Sequence, residues 1–416
     1  MVPASEEQQA PVGDLQCQKD TFLQHYSTVC LWCSAAPDKK GFYQVKLQDT
    51  ILFPEGGGQP SDTGYIDNIK VHHVLREGLS HIHFTKDPVP VGPVELKLDW
   101  DRRWDHVQQH SGQHLLSAVL EQPPYNIETI SWNLGEKRSY IELPTSKVKV
   151  DISKPFLSDV ESVVNRLILK NIPVLTHSEK HVDTNRPDSL PSDYTGGGHI
   201  RTIEIEGLDR NPCCGTHVSS LGQLQCLKLL HTEKVRGGNT RLFFLVGQRV
   251  LDTLDASYTI TRQLTSLLSG PQEQFVENIE RLQQQSKNQM KRSKRLLEQL
   301  AAYTVDDVGR VLKEQKVMVV YRELADMEFL SMVAHGIKDR ALLAEGEKVL
   351  VLAAGEETAG GPIIVQGTND AIVQKASQIL MKTLPNVKGG GKGRWQGKAQ
   401  SWQGIDGLEK VLKDEL

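Results

Sequence analysis

The run His106-Val-Gln-Gln-His110-Ser-Gly-Gln-His114-Leu-Leu-Ser-Ala restricts this chain more than any other stretch. Its histidines recur at every fourth position. On a helix of 3.6 residues per turn such positions fall on one face, so a helix here lines up three imidazoles. Two histidines four apart can reach a single metal ion. Much later comes Asn211-Pro-Cys213-Cys214-Gly-Thr-His217-Val, which offers a soft thiolate and another imidazole at Cys-x3-His spacing. Two helix histidines, one thiolate and one loop histidine suit zinc in donor type and number. A histidine pair alone on an amphipathic helix usually faces a core or solvent. Both half-sites in one chain point to metal binding.

At 416 residues, two or three domains are expected, each able to bury its own core. Net charge is -4, so a nucleic-acid partner would have to be held by a local patch. No stretch approaches the roughly 20 apolar residues of a membrane span. Residues 1–14 are polar and acidic with no apolar run, and read as a disordered tail rather than a signal peptide. Six cysteines are too few to staple a chain of this length, and the adjacent pair Cys213-Cys214 suits a metal loop better than bridges. A reducing cytoplasm is therefore the expected location. The ending Lys413-Asp414-Glu415-Leu416 has the form of a retention address for the endoplasmic reticulum. Nothing in the sequence delivers the chain there, so the match reads as coincidence.

The pattern from 15 to 104 is β. Short, partly alternating runs at Phe42–Leu47, Tyr65–Leu75, Leu79–Phe84 and Val94–Leu98 are separated by Gly, Pro and Asp, as in a small barrel or sandwich. His81 and His83 share one strand face and read as surface or core histidines. Cys30-Leu-Trp-Cys33 is an isolated pair with no second half. Within this region Phe53-Pro-Glu-Gly56-Gly57-Gly58-Gln59-Pro60 permits positive φ and close approach of a ligand, or simply a tight turn.

An α+β unit follows over 105–250. The histidine helix is expected from near Asp105 to about Leu120, then a strand at Ser139–Leu143. A helix follows whose Val160, Val163, Val164, Leu167 and Ile168 make one buried stripe. A long polar loop reaching Gly196-Gly-Gly198 has the length of an active-site cover. Strands are expected at Ile200–Ile205, Leu224–Leu230 and Leu242–Val246. Residues 251–303 read as a helical spacer, broken at Ser269-Gly270-Pro271, with a basic stripe of Lys287, Lys291, Arg292, Lys294 and Arg295. Strands and helices then alternate over 304–416 in a compact α/β domain. It carries Lys388-Gly-Gly-Gly-Lys392-Gly-Arg394-Trp395-Gln-Gly-Lys398, which reads either as a phosphate- and base-contacting segment or as a flexible loop.

Taken together, the glycine-rich motif, HxxxH and C-x-G-T-H-V in this order resemble the editing half of alanyl-tRNA synthetase and the free-standing editing proteins of the AlaX family, in its long form. The resemblance runs from about Cys17 to the end. It implies a trans-editing hydrolase that cleaves the ester of mischarged alanine tRNA, chiefly seryl- and secondarily glycyl-tRNA, with one Zn2+ per chain. His110, His114, Cys213 and His217 match the metal ligands, and Gly56, Gly57, Gly58 and Gln59 match the motif taken as substrate-binding. The C-terminal domain resembles the synthetase's tRNA-binding domain, with Lys388, Lys392, Arg394, Trp395 and Lys398 as tRNA contacts. Too few residues precede the first strand to hold an aminoacylation core.

Two positions depart from the family pattern. Cys214 stands where a glycine is common, and Gln113 where a threonine is common before the second histidine. Gln113, with Thr129 and Ser131, is a candidate for contacting the serine hydroxyl, because a site built to bond that group penalises alanine. His106 lies outside the motif and would support the site or contact the tRNA end. Four protein ligands would close a tetrahedral site, so zinc either has one displaceable ligand or mainly shapes the site. Two other readings remain: an RNA-binding module with a structural zinc and no activity, and a zinc hydrolase of small esters or peptides. Against a peptidase, Ser111 occupies the glutamate position of HExxH.

Overall fold

A computed structural model describes residues 9–148, 152–180 and 199–416. They form two compact units, one reaching to Arg262 and one spanning Gln263–Leu416. The expected covering loop before Gly198 lies largely outside the described residues. Its first part, Val174–Lys180, is a strand.

The first unit opens with a short helix α1 (Gln16–Lys19) and six strands: β1 (His25–Cys33), β2 (Tyr43–Leu47), β3 (Gly64–Ile66), β4 (Ile69–Glu77), β5 (Ser80–Thr85) and β6 (Gly92–Leu98). They close a barrel in the order β1-β2-β5-β4-β3-β6, which decides between the two β architectures open to the sequence. Alternate residues such as Val45, Leu47, Val74, Leu96 and Leu98 fill its interior. His83 pairs with Val45 and with Val74 across the barrel. His81 and His83 are both fully buried, so they are core residues and not surface ones.

Within the expected N-terminal tail, residues 9–14 are held against the barrel. Ala10 N–H donates to Gln48 O at 2.7 Å and Val12 N–H to Leu79 O at 2.8 Å. Val12 and Leu15 bury themselves with Cys17 and Phe53. Sparse apolar residues thus anchor a segment whose composition suggests disorder.

Helix α2 (Trp100–Glu121) carries the histidines and starts earlier than expected because Asp99 caps it. It packs on α3 (Lys154–Leu169) and on a sheet of β7 (Ser131–Asn133), β8 (Ser139–Leu143), β12 (Leu227–Lys234) and β13 (Thr240–Val246), ordered β12-β13-β8-β7. Leu116, Leu120, Val160, Val164, Ile168, Leu242 and Phe244 belong to one core. The Val174–Lys180 strand is β9. With β10 (His199–Ile205) and β11 (Asp209–Pro212) it forms a second sheet. A buried ion pair fastens the barrel to α2. The Arg103 guanidinium bonds the Asp62 carboxylate, Thr21 O at 2.8 Å and Ile51 O at 2.6 Å, with both charged side chains fully enclosed. Helix α4 (Gln248–Leu268) follows β13.

In the second unit α5 (Phe275–Glu314) runs well past the expected end near Tyr303. Ala301, Val305, Val308 and Leu312 repeat at helical spacing, and their burial continues the helix. They pack with α6 (Met327–Asp339) on one face of a five-stranded sheet. Its strands are β14 (Val317–Arg322), β15 (Val349–Ala354), β16 (Gly361–Gly367), β17 (Lys388–Gly390) and β18 (Arg394–Ala399), ordered β14-β15-β16-β18-β17. Helices α7 (Asp370–Thr383) and α8 (Ile405–Glu415) cover the other face. The Lys-Asp-Glu-Leu ending belongs mostly to α8, where Lys413 pairs with Glu409 at 2.6 Å. Among the described residues no helix is long and apolar enough to cross a membrane.

Candidate metal centre

Three segments meet at one point. Helix α2 contributes His110 and His114, one turn apart with ring centroids 5.1 Å from each other. The loop after β11 contributes Cys213 and His217. It is held to β10 by the Cys213 N–H, which donates to Arg201 O at 2.9 Å. The turn between β2 and β3 contributes Gln59. The ligand-type atoms of His110, His114, Cys213 and His217 lie within 4.8 Å of one another. His106 is outside this group. It sits eight residues before His114, about 12 Å along the axis at 1.5 Å per residue, too far for one ion to reach both.

The donors face inward. Cys213 Sγ is 3.5 Å from His110 Nε2 and 3.2 Å from His217 Nε2. Zinc bonds of about 2.3 Å to sulfur and 2.0–2.1 Å to nitrogen at tetrahedral angles imply a sulfur–nitrogen separation of about 3.5 Å, so the set fits zinc. The opposite ring nitrogens are occupied. His110 Nδ1 lies 2.9 Å from Gln59 Oε1, and His217 Nδ1 lies 3.1 Å from Ser111 Oγ. Such partners fix ring orientation in metal sites. His114, half-buried, has no such partner among the described residues.

Burial sets the protonation of the donors. It drives His110 and His217 well below the ordinary imidazole range, with neighbouring imidazoles and the Arg201 charge adding to the effect. His114 is lowered to about 4 by burial and then by Arg201. All three are neutral at physiological pH, the form that binds a metal. Burial raises the Cys213 thiol to about 12; Gly215 N–H and Arg201 pull it down. A divalent cation favours the thiolate and would displace that proton.

A family model described as the threonyl and alanyl tRNA synthetase second additional domain matches residues 200–243, which include Cys213 and His217. The alanyl-tRNA editing protein Aarsd1-B of Xenopus laevis is 38% identical over 95% of this chain and 96% of its own length. Aarsd1 of Mus musculus is 36% identical over 96% of this chain and 97% of its own. The chain belongs to the alanyl-tRNA editing protein family. The alanine–tRNA ligase of Thermococcus kodakarensis is 26% identical over 88% of this chain but only 41% of its own length. The chain is thus similar to a part of that longer enzyme.

The other residues expected at the site take defined places in the structure. Gln59, expected to bind substrate, is fully buried. Its oxygen lies 2.9 Å from His110 Nδ1 and accepts from the Thr216 N–H at 3.0 Å, and its nitrogen donates to Thr216 Oγ1 at 2.9 Å. Gly57 and Gly58 are exposed at φ 55° and 76°. With Gly56 and Gln59 they make a tight hairpin turn, closed by Gly56 N–H to Gln59 O at 3.2 Å and Gln59 N–H to Gly56 O at 3.1 Å. A side chain at Gly58 would collide with the Trp132 ring, which itself stands 4.8 Å from the His110 ring. Ser131 is exposed at the start of β7, next to Trp132. Gln113 Nε2 donates to Ser117 Oγ at 3.0 Å, and Ser117 Oγ lies 2.7 Å from Thr129 Oγ1. The structure therefore links Gln113 and Thr129, and Gln113 Oε1 is buried without a partner among the described residues.

In the second unit Lys388, Lys392 and Lys398 are exposed and Arg394 is half-buried on the β17–β18 hairpin. Trp395 is not presented for stacking: it is 2% exposed and lies in the core between sheet and helices. The glycines at 389 and 397 leave space for its ring.

Arg201, Ser111 and Thr216 escaped the sequence reading. Arg201 is buried on the Ile203/Ile205 face of β10 and bonds Gly215 O. A cation placed in phase with two core isoleucines is a signal the sequence does contain. Ser111 was read only as a missing glutamate.

Proposed function

We propose that this protein is a trans-editing aminoacyl-tRNA hydrolase. Its substrate would be alanine tRNA mischarged with serine, with glycine as a second acyl group. The observation that carries this reading is the convergence of three imidazoles and one thiol at one point. A zinc ion held by His110, His114, Cys213 and His217 would supply positive charge to polarise the ester carbonyl. The chain's own groups do the selecting. Gln113 Oε1 accepts a hydrogen bond from the serine hydroxyl, while Ser117 and Thr129 hold the amide in place. Alanine leaves that oxygen unpaired, and an unpaired buried acceptor costs about 1–3 kcal/mol. Trp132 and the Gly57–Gly58 turn wall the site against water. Lys388, Lys392, Arg394 and Lys398 bind tRNA phosphates, positioning without reading sequence.

The editing names of the relatives support this reading, and so does the likeness to part of an alanine–tRNA ligase. One observation favours a second reading. Four protein donors already satisfy a tetrahedral zinc, as in structural sites, and an RNA-binding protein without activity would look the same.

Deacylation of Ser-, Gly- and Ala-charged alanine tRNA, with and without chelator, decides between them. Seryl-tRNA should be hydrolysed and alanyl-tRNA spared, with activity lost on chelation and in Cys213→Ala. Zinc-loaded protein that binds tRNA and hydrolyses none of the three would establish the second reading. In Gln113→Ala, seryl-tRNA hydrolysis should fall by about 10–100-fold, the weight of one buried hydrogen bond.

A further inference from the structure

The Gly56–Gln59 turn belongs to the barrel, yet its last side chain ends against a metal-ligand histidine of α2. We propose that Gln59 is a positioning residue that holds His110 as the Nδ1–H tautomer and clamps the Cys213–His217 loop to the same oxygen, so that the barrel completes the zinc site. The inference rests on the metal reading above and adds a role for a residue outside the donor set.

The tautomer follows from the bonds around one atom. The Thr216 main-chain nitrogen carries a hydrogen and can only donate. The Gln59 atom 3.0 Å from it must therefore be the amide oxygen, which can only accept. That same oxygen is 2.9 Å from His110 Nδ1, so Nδ1 carries the proton. The lone pair is then on Nε2, the atom that faces Cys213 Sγ. The other end of the amide is then its NH2, which donates to Thr216 Oγ1 at 2.9 Å.

The turn is rigidly placed. Its two central glycines take the positive φ of a type I′ hairpin, which aims Gln59 inward. Three residues later, Asp62 accepts from Phe53 N–H at 2.7 Å and pairs with Arg103 of α2 inside the protein. Turn and histidine helix thus share one frame. From the other side, Gly215 packs so closely that a Cβ there would strike the His110 ring and come within 2.8 Å of Gln59 Oε1. Barrel turn, helix and cysteine loop interlock around a single amide.

The full chain is the material for the test, with zinc affinity read by competition against a chromophoric chelator. Gln59→Leu removes the acceptor and should weaken zinc binding by about 10–100-fold, the usual cost of losing a partner of a ligand histidine. Gln59→Glu keeps an acceptor for both His110 and Thr216 N–H and should recover most of that loss. Wild-type affinity in Gln59→Leu overturns the proposal, as does a mere drop in melting temperature with zinc affinity intact. Long-range nitrogen–proton NMR of the unsubstituted, zinc-free protein needs no variant: His110 protonated on Nε2 overturns it too. If the unsubstituted protein binds no zinc in the same titration, the metal reading falls instead, and the two failures are told apart.

Discussion

His81 and His83 in the barrel can be set beside His110, His114 and His217 at the candidate metal centre. Burial pushes imidazoles below their ordinary range in both places. The barrel pair and the His110/His114 pair also arise from sequence spacing, i and i+2 on a strand, i and i+4 on a helix. The barrel rings lie 5.5 Å apart and meet edge to face. His83 Nε2 lies 2.9 Å from Thr50 Oγ1. At the centre, a second segment brings a thiol and another imidazole, and two rings are held from behind. Among the described residues that is the one group of metal-type donors. Alignment on one element supplies two ligands at most; a metal site needs a second element and something to orient the rings.

The largest expected effect breaks this comparison outright. His217→Ala should reduce bound zinc from one per chain to none after dialysis, because a three-donor remnant loses both a ligand and the thiol's nearest neighbour. The double variant His81→Leu, His83→Leu should keep one zinc. Metal analysis of the two dialysed proteins is the check, and zinc lost from the barrel variant would overturn the distinction.

A smaller effect should appear in acid. Burial first, then the Lys46 charge, lowers His81 to about 4. Burial and the neighbouring His81 lower His83 as well. Both are neutral in the folded barrel, while the unfolded chain takes up protons below about 6.5. The native state therefore loses stability as pH falls from 6.5 towards 4, and the contribution is constant above that window. For His81 the full loss is on the order of 3 kcal/mol. In a Cys213→Ala background, melting temperatures of the parent and of the His81→Leu, His83→Leu variant should diverge on acidification, with the parent falling faster. Parallel curves would show that the barrel histidines do not stay neutral.

Much of this organisation was legible because it is local. The α3 stripe, the strand at Ser139–Leu143 and both halves of the donor set rest on spacing within one element. What stayed hidden depends on contacts between elements. Gln59 looks like a turn residue until the barrel is docked on α2, and the Gly-rich hairpin looks like a loop until Trp395 is seen filling the space its glycines leave. The length of α5 was misjudged for a similar reason. Past Tyr303 its apolar residues answer to a sheet that forms only later in the chain.

The smallest effect tests where His106 belongs. It shares the helix face of His110 and His114 but the environment of the barrel pair. It is 4% exposed, its Nδ1 is buried without a partner, and burial lowers it to about 4. A neutral imidazole about 12 Å along the helix from His114 can neither share that ion nor act as a cation towards tRNA. His106→Leu removes an unsatisfied buried atom and keeps an apolar side chain, an exchange that is close to neutral for stability. Zinc affinity and seryl-tRNA deacylation should both stay within about twofold, against about tenfold for each 1.4 kcal/mol of a lost interaction. A tenfold fall in deacylation with zinc retained would move His106 into the substrate site. Unchanged values for both would group it with His81 and His83, as a buried imidazole that alignment alone does not make functional.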